Sequence, residues 1–210
     1  MKNQKNIALR NVKKYYIQEE RYDWVKVVNK FAGIESIYHF VRQKLMQKLI
    51  RRHSREGSHL DIGCGTGLVL CCMPAQTVGL DINKWALEKA RIHAPKAQLI
   101  QADADHLPFR KNAFSTITLF EVLEHMNNPK HALRDVCRIL NNSGILIGSV
   151  PRESPFWKLR ILSSTCPRNE PFHNLYTKHE LRRIFNPLAK LSHHFSLWLP
   201  NFFFTAEIDK

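Results

Sequence analysis

The stretch HLDIGCGTGL at residues 59–68 decides the fold class, because it joins a short apolar strand to a glycine-rich turn. The strand is predicted over residues 59–62, and Gly63, Gly65 and Gly67 follow it at every second position. Glycine has no Cβ, so a turn of this kind lets a ligand lie against bare backbone. We expect a helix after Gly67, with a ligand bound at its N-terminus.

Short apolar strands alternate with amphipathic helices from residue 57 onward, which predicts an α/β fold with a Rossmann-like doubly wound sheet. The predicted strands are 59–62, 77–81, 97–101, 115–120 and 145–150, and the predicted helices are 84–93, 129–140, 155–162 and 178–185. Two further β-rich stretches, 188–198 and 201–208, predict a hairpin at the edge of the sheet.

The chain is basic, and most of its excess charge precedes the glycine-rich turn. Its 210 residues fit one domain and carry 32 Lys and Arg against 18 Asp and Glu. Residues 1–56 hold 14 of these bases against 5 acids, a net charge of +9. On a helical projection Leu45, Met46, Leu49 and Ile50 fall on one side, opposite Lys44, Lys48, Arg51 and Arg52. The basic side is either simply solvated or attracted to nucleic-acid phosphate or anionic lipid.

Composition also bounds the compartment and the cofactor class. No apolar run is long enough to span a bilayer, and the charged N-terminus lacks the apolar stretch of a signal peptide. We therefore expect a cytoplasmic protein, with attachment to the periphery of a membrane as the alternative. The five cysteines form no C-x-x-C pair, so we expect reduced thiols and no metal.

Three aspartates are predicted at the ends of three strands, around the glycine-rich turn. Asp81 is placed to accept hydrogen bonds from both hydroxyls of a ribose. Asp103 can accept from an exocyclic amine, and Asp61 would repel a pyrophosphate and attract an ammonium group. Leu68 replaces the third glycine of the dinucleotide fingerprint G-x-G-x-x-G, which argues against a dehydrogenase. Ribose, adenine and an ammonium group without phosphate describe S-adenosylmethionine.

Five motifs in order carry a family resemblance: LDIGCGTG at 60–67, GLDIN at 79–83, ADADHLPF at 102–109, FEVLEHM at 120–126 and RILNNSGILIGSVP at 138–151. The sequence resembles the class I S-adenosylmethionine-dependent methyltransferases, in particular the methyltransferase-11-like small-molecule group. The resemblance implies a seven-stranded sheet whose last strand is antiparallel, and S-adenosylhomocysteine (SAH) as the product. It implies cofactor contacts from Asp61, Gly63, Cys64, Gly65, Gly67, Asp81, Ile82, Asp103, Ala104, Phe120 and Glu121.

We predict a single methyltransferase domain over residues 1–210, with three parts. Residues 1–56 form a basic helical cap, residues 57–151 form the cofactor-binding core, and residues 152–210 complete the sheet and the acceptor site. Aromatic residues between positions 15 and 40 suit a cap whose inner side covers a ligand, and they suit ordinary packing equally well.

The acceptor is less constrained than the cofactor. We predict methyl transfer to a small or lipid-like acceptor at oxygen, with His125 and His173 as candidate bases. The alternatives are an RNA methyltransferase that uses the basic cap and a non-catalytic regulator that binds S-adenosylmethionine. An anionic membrane surface or RNA are the macromolecular partners considered for the cap, and no obligate protein partner is inferred.

Overall fold

A computed structural model describes residues 12–20, 23–29, 34–74, 76–126, 128–152, 174–186, 188–194 and 201–208. The strands are β1 His59–Ile62, β2 Thr77–Asp81, β3 Gln98–Gln101, β4 Phe114–Phe120, β5 Leu140–Pro151, β6 Lys190–His194 and β7 Asn201–Glu207. The helices are α1 (12–18), α2 Trp24–Asn29, α3 Ile34–His53, α4 Lys84–His93, α5 Pro129–Ile139 and α6 Lys178–Phe185. The predicted helix at 155–162, His173 and Cys166 lie outside the described residues.

The described strands form one seven-stranded sheet in the order β3-β2-β1-β4-β5-β7-β6. β7 runs antiparallel to both β5 and β6, whereas the pairs among β1 to β5 are parallel. The predicted sheet with an antiparallel last strand is therefore confirmed, as is the edge hairpin of β6 and β7. The strand order reverses between β1 and β4, and open α/β sheets bind ligands outside the carboxyl ends of the strands at such a point.

The helix expected after Gly67 is absent, and this prediction is wrong. The chain forms only a three-residue 3₁₀ turn, Leu70–Cys72, between β1 and β2. The glycine turn extends to residue 69 and Pro74 follows soon after, so too few residues remain for an α-helix. No helix N-terminus therefore faces a ligand at this loop, and any anion or dipole effect must come from the loop backbone itself.

The sheet is covered on both faces, because alternate residues of each strand point to opposite sides. Leu133 of α5 and Leu181 of α6 belong to one buried cluster, which also contains Phe204 of β7. Met46 of α3 belongs to a second buried cluster, which contains Phe203, the residue before Phe204 in β7. The structure confirms the two-sided pattern predicted for α3. Met46, Leu49 and Ile50 are buried, and Lys44, Lys48, Arg51 and Arg52 are exposed. Within the described ranges, no helix combines the length and apolar character needed to span a membrane.

Candidate functional site

The glycine-rich loop has positive φ at each of its glycines, +69° at Gly63, +50° at Gly65 and +93° at Gly67. A Cβ on Gly63 would overlap the side chain of Val122, and a Cβ on Gly67 would lie 3.2 Å from the Cα of Ala90. A Cβ on Gly65 would instead meet nothing within 4 Å. Gly63 and Gly67 are thus required by packing, whereas Gly65 borders open space that a ligand can fill.

Asp81 at the end of β2 holds this loop in place. Its Oδ2 accepts a hydrogen bond of 2.8 Å from the backbone N–H of Gly65, and its Oδ1 accepts one of 2.9 Å from the N–H of Asn83. Burial raises the pKa of Asp81 above its usual value, although these backbone hydrogen bonds act to lower it. Each carboxylate oxygen keeps a second lone pair, so Asp81 can also accept from two hydroxyls.

Asp61 at the end of β1 has one buried oxygen without a hydrogen-bond partner. Its Oδ1 accepts a 2.7 Å hydrogen bond from the hydroxyl of Thr118, whereas its Oδ2 is buried and has no hydrogen bond. Burial raises the pKa of Asp61 to about 7; the Thr118 hydrogen bond opposes this rise, and the negative charge of Asp81 adds to it. A cationic hydrogen-bond donor beside Oδ2 would supply the missing partner. The ammonium group that the sequence predicts near Asp61 is a donor of this kind.

Asp103, the residue predicted to accept from an adenine amine, is bound to a lysine of α1. The ammonium of Lys13 lies 2.5 Å from Oδ2 of Asp103 and 2.7 Å from Oδ2 of Asp105. Burial alone would raise the pKa of Asp103, but the hydrogen bonds from Lys13 and from the N–H of Asp105 lower it below its usual value. Ile82 and Ala104, which directly follow Asp81 and Asp103, are half-buried.

Helix α1 and the residues after it lie across the loops that carry these aspartates. The side-chain amide of Asn83 donates to the carbonyl oxygens of Tyr16 and Glu19, at 2.7 Å each. The backbone N–H of Trp24 donates to the hydroxyl of Thr66 in the glycine-rich loop, at 3.0 Å. The N-terminal residues therefore contact the loops after both β1 and β2, as a cap over a ligand would.

His125 ends a 3₁₀ turn, Leu123–His125, just beyond the carboxyl end of β4. The hydroxyl oxygen of Tyr16 lies 3.0 Å from Nδ1 and 3.2 Å from Nε2 of the imidazole, and the ring centroids are 4.5 Å apart. His125 is half-buried, at the edge of the sheet where the predicted cofactor residues lie. The structure thus places this candidate base in contact with a phenol oxygen.

Three of the predicted contact residues direct their side chains away from the crevice. The thiol of Cys64 is in a buried cluster, and the ring of Phe120 is buried beneath α3. Glu121 has a φ of +56°, and its carboxylate accepts hydrogen bonds from Ser149 at 2.5 Å and Asn201 at 2.9 Å. A ligand in the crevice would therefore meet the backbone of these three residues rather than their functional groups.

Sequence reasoning missed Lys13, Asn83 and Asn201 as site residues. Lys13 is one of 14 bases in the first 56 residues, and nothing local marks it as the partner of Asp103, 90 positions away. Asn83 had a detectable signal, because an asparagine before a helix is a preferred N-cap, and its side chain does accept from the N–H of Ala86. The hydrogen bonds that Asn83 donates to the carbonyl oxygens of Tyr16 and Glu19 had no such signal in the sequence.

The fold agrees with comparisons to known proteins. A methyltransferase domain family matches residues 36–187, and the chain belongs to this family. Together with the sheet order, this places the chain among the class I S-adenosylmethionine-dependent methyltransferases, as the five motifs predicted.

Named relatives cover parts of the chain. A probable S-adenosylmethionine-dependent methyltransferase of Mycobacterium tuberculosis is 25% identical over 57% of this chain and 44% of its own length. A ubiquinone biosynthesis O-methyltransferase of Pelagibacter ubique is 32% identical over 41% of this chain and 39% of its own length. This chain therefore spans less than half the length of either relative.

A solved structure supports the fold over nearly the whole chain. Magnesium protoporphyrin IX methyltransferase of Synechocystis with bound SAH superposes with a TM-score of 0.69 at 13% identity, over 95% of this chain and 99% of that one. At this identity the likeness concerns the fold alone.

Proposed function

We propose that this protein transfers the methyl group of S-adenosylmethionine to an oxygen atom of a small or lipid-like acceptor. The observation that carries the proposal is the set of three aspartates at or just beyond the carboxyl ends of β1, β2 and β3, of which Asp81 binds the backbone of Gly65 beside open space. Each offers a carboxylate suited to a different part of one ligand that lacks phosphate.

The residues present fit this cofactor. The unpaired Oδ2 of Asp61 suits an ammonium group, and the two oxygens of Asp81 suit the ribose hydroxyls. Asp103 suits the amine of adenine once Lys13 gives up part of its hold on that carboxylate. When bound, the cofactor supplies an electrophilic methyl group on sulfur. The protein lowers the barrier chiefly by orientation, because a rigid loop fixes where the reacting groups lie.

Two observations favour oxygen as the methylated atom. His125 already binds a phenol oxygen within this chain, that of Tyr16, at 3.0 Å. An imidazole in that position can take the proton of a hydroxyl acceptor as its oxygen attacks, provided that Tyr16 moves aside. The Pelagibacter relative, which is named an O-methyltransferase, supports the same assignment.

The experiment is transfer of labelled methyl from S-adenosylmethionine into a host-cell extract, separated into lipid, RNA, protein and small-molecule pools. We expect label in the small-molecule or lipid pool, and none with Asp81→Ala. His125→Ala should lower turnover while SAH binding remains. His131→Ala, which removes an exposed histidine from α5, is the matched control and should leave turnover unchanged.

Three outcomes would contradict the proposal. Label confined to RNA would identify an RNA methyltransferase. Absence of label from every pool, with SAH binding intact, would favour the non-catalytic regulator. Equal turnover of the His125 and His131 variants would exclude His125 as the base.

A further inference from the structure

Helix α3 presents an exposed stripe that combines large apolar residues with bases. Ile37 is 53% exposed, Phe40 39% and Val41 40%, and these are three of the five large hydrophobic residues found exposed in the described chain. Further along the same helix four bases are exposed: Lys44, Lys48, Arg51 and Arg52. We call these seven residues the α3 stripe.

The members of the α3 stripe share one side of the helix. At 100° per residue they fall within an arc of about 120°, and they extend over about 22 Å of helix axis. The opposite side carries Met46, Leu49 and Ile50, which are buried against the sheet. The stripe is therefore the outer side of a helix whose inner side is already packed.

The charges along this part of α3 have one sign. Residues 37–53 contain no Asp or Glu, so the four bases of the stripe have no acidic neighbour on their own part of the helix. The nearby Arg55 differs, because its guanidinium is paired with Glu207 at 2.8 Å. The ammonium of Lys44 lies 5.2 Å from the ring centroid of Phe40, at the boundary between the basic and apolar parts.

We infer that the α3 stripe docks on an anionic lipid surface. An interfacial helix buries apolar side chains at the boundary of headgroups and acyl chains while its bases contact lipid phosphate. RNA would satisfy the bases but would leave Ile37 and Val41 exposed to water, because a phosphate backbone offers aliphatic side chains no apolar environment. The combination of both residue types on one side therefore favours lipid.

The apolar end of the stripe is connected to the candidate site. The hydroxyl of Tyr38, next to Ile37 in sequence, donates to Oδ1 of Asn201 at 2.9 Å. The amide of Asn201 in turn donates to Glu121, which directly follows β4, at 2.9 Å. The helix that carries the stripe is thus linked by hydrogen bonds to the end of β4, beside the candidate site. The docking does not depend on the proposed methyl transfer, because it concerns binding alone.

The test is sedimentation of the full chain with vesicles of phosphatidylcholine alone or with added phosphatidylglycerol. We expect binding to the anionic vesicles that weakens as salt is raised, and little binding to the neutral ones. Replacing the four bases of the stripe together by Ala should reduce the partition coefficient at least about tenfold. Ile37→Ser combined with Val41→Ser should also reduce it.

Matched controls separate the stripe from the overall charge. A second quadruple variant replaces two exposed lysines and two exposed arginines outside α3: Arg91 on α4, Lys96 after α4, and Lys130 and Arg134 on α5. The apolar control is Ile92→Ser, because Ile92 is 69% exposed on α4. Both controls should bind vesicles as the unmodified protein does, and SAH binding reports that each variant is folded.

Several results would overturn the inference. Equal losses in the two quadruple variants would mean that net charge alone drives the binding. Unchanged binding of the double serine variant would overturn the interfacial docking, because the apolar residues that favour lipid over RNA would then contribute nothing. Absence of vesicle binding together with salt-dependent tRNA binding through the four bases would assign the stripe to RNA.

Discussion

Asp61→Asn should change how the stability of the protein depends on pH. The carboxyl of Asp61 has a pKa of about 7 in the folded chain, raised from 3.8 by burial. Because the folded state holds this proton more tightly than the unfolded state, its contribution to stability is complete below about pH 4. This contribution is lost as the pH rises towards 7. Above pH 7 the buried, ionised carboxylate lowers the free energy of unfolding by an amount that no longer changes with pH.

The size of the effect follows from the pKa difference. One pKa unit corresponds to about 1.4 kcal/mol, so the whole loss amounts to about 4 kcal/mol, of which about 3 kcal/mol falls between pH 5 and 8. The amide of Asn is nearly isosteric and does not titrate. The free energy of unfolding of the unmodified protein should therefore fall relative to that of the variant by up to about 3 kcal/mol over this range.

Urea unfolding of both proteins at pH 5, 6, 7 and 8 measures this difference. Asp135→Asn is the control, because the pKa of Asp135 is lowered: burial acts to raise it, but the hydrogen bond from Arg138 outweighs this. Asp135 is ionised in both states above pH 5, so this control should keep the pH dependence of the unmodified protein. Parallel curves for the Asp61 variant and the unmodified protein would refute the reasoning about burial.

The remaining predictions concern the loop, the cap and the candidate base. Both Gly63→Ala and Gly65→Ala are strained by their positive φ, but Gly63→Ala should lower the melting temperature more, because only its Cβ also overlaps a valine; equal losses would contradict this. Gly65→Ala should also bind SAH more weakly, since its Cβ enters open space. Lys13→Met should tighten SAH binding in calorimetry, because Asp103 loses a competing cation, and weaker binding would mean that Lys13 itself supports the ligand. Tyr16→Phe should shift the pH profile of turnover, because a hydroxyl 3.0 Å from the imidazole is lost; an unchanged profile would count against the contact.

Much of the core could be predicted from the sequence because its signals are local. The strand at 59–62 and the helices at 84–93 and 178–185 begin and end at the predicted residues. Each is marked by an apolar periodicity and by residues that start or stop it nearby, such as Asn83 and the Thr177 capping box. The expected helix after Gly67 failed because its prediction came from the glycine-rich turn and the alternation of strands and helices, and not from a helical periodicity in residues 68–74.

The features of the fold and the candidate site fall into two groups, those that the sequence determines and those that depend on the tertiary structure. The sequence by itself determined the α/β class, the three aspartates at strand ends and the two-sided character of α3, since each depends on residue type and spacing along the chain. Only the tertiary structure decided that Lys13 pairs with Asp103, that the carboxylate of Glu121 binds Asn201, and that one oxygen of Asp61 is left without a partner. These features depend on which distant segments pack together, and such proximity leaves no periodic trace in the sequence.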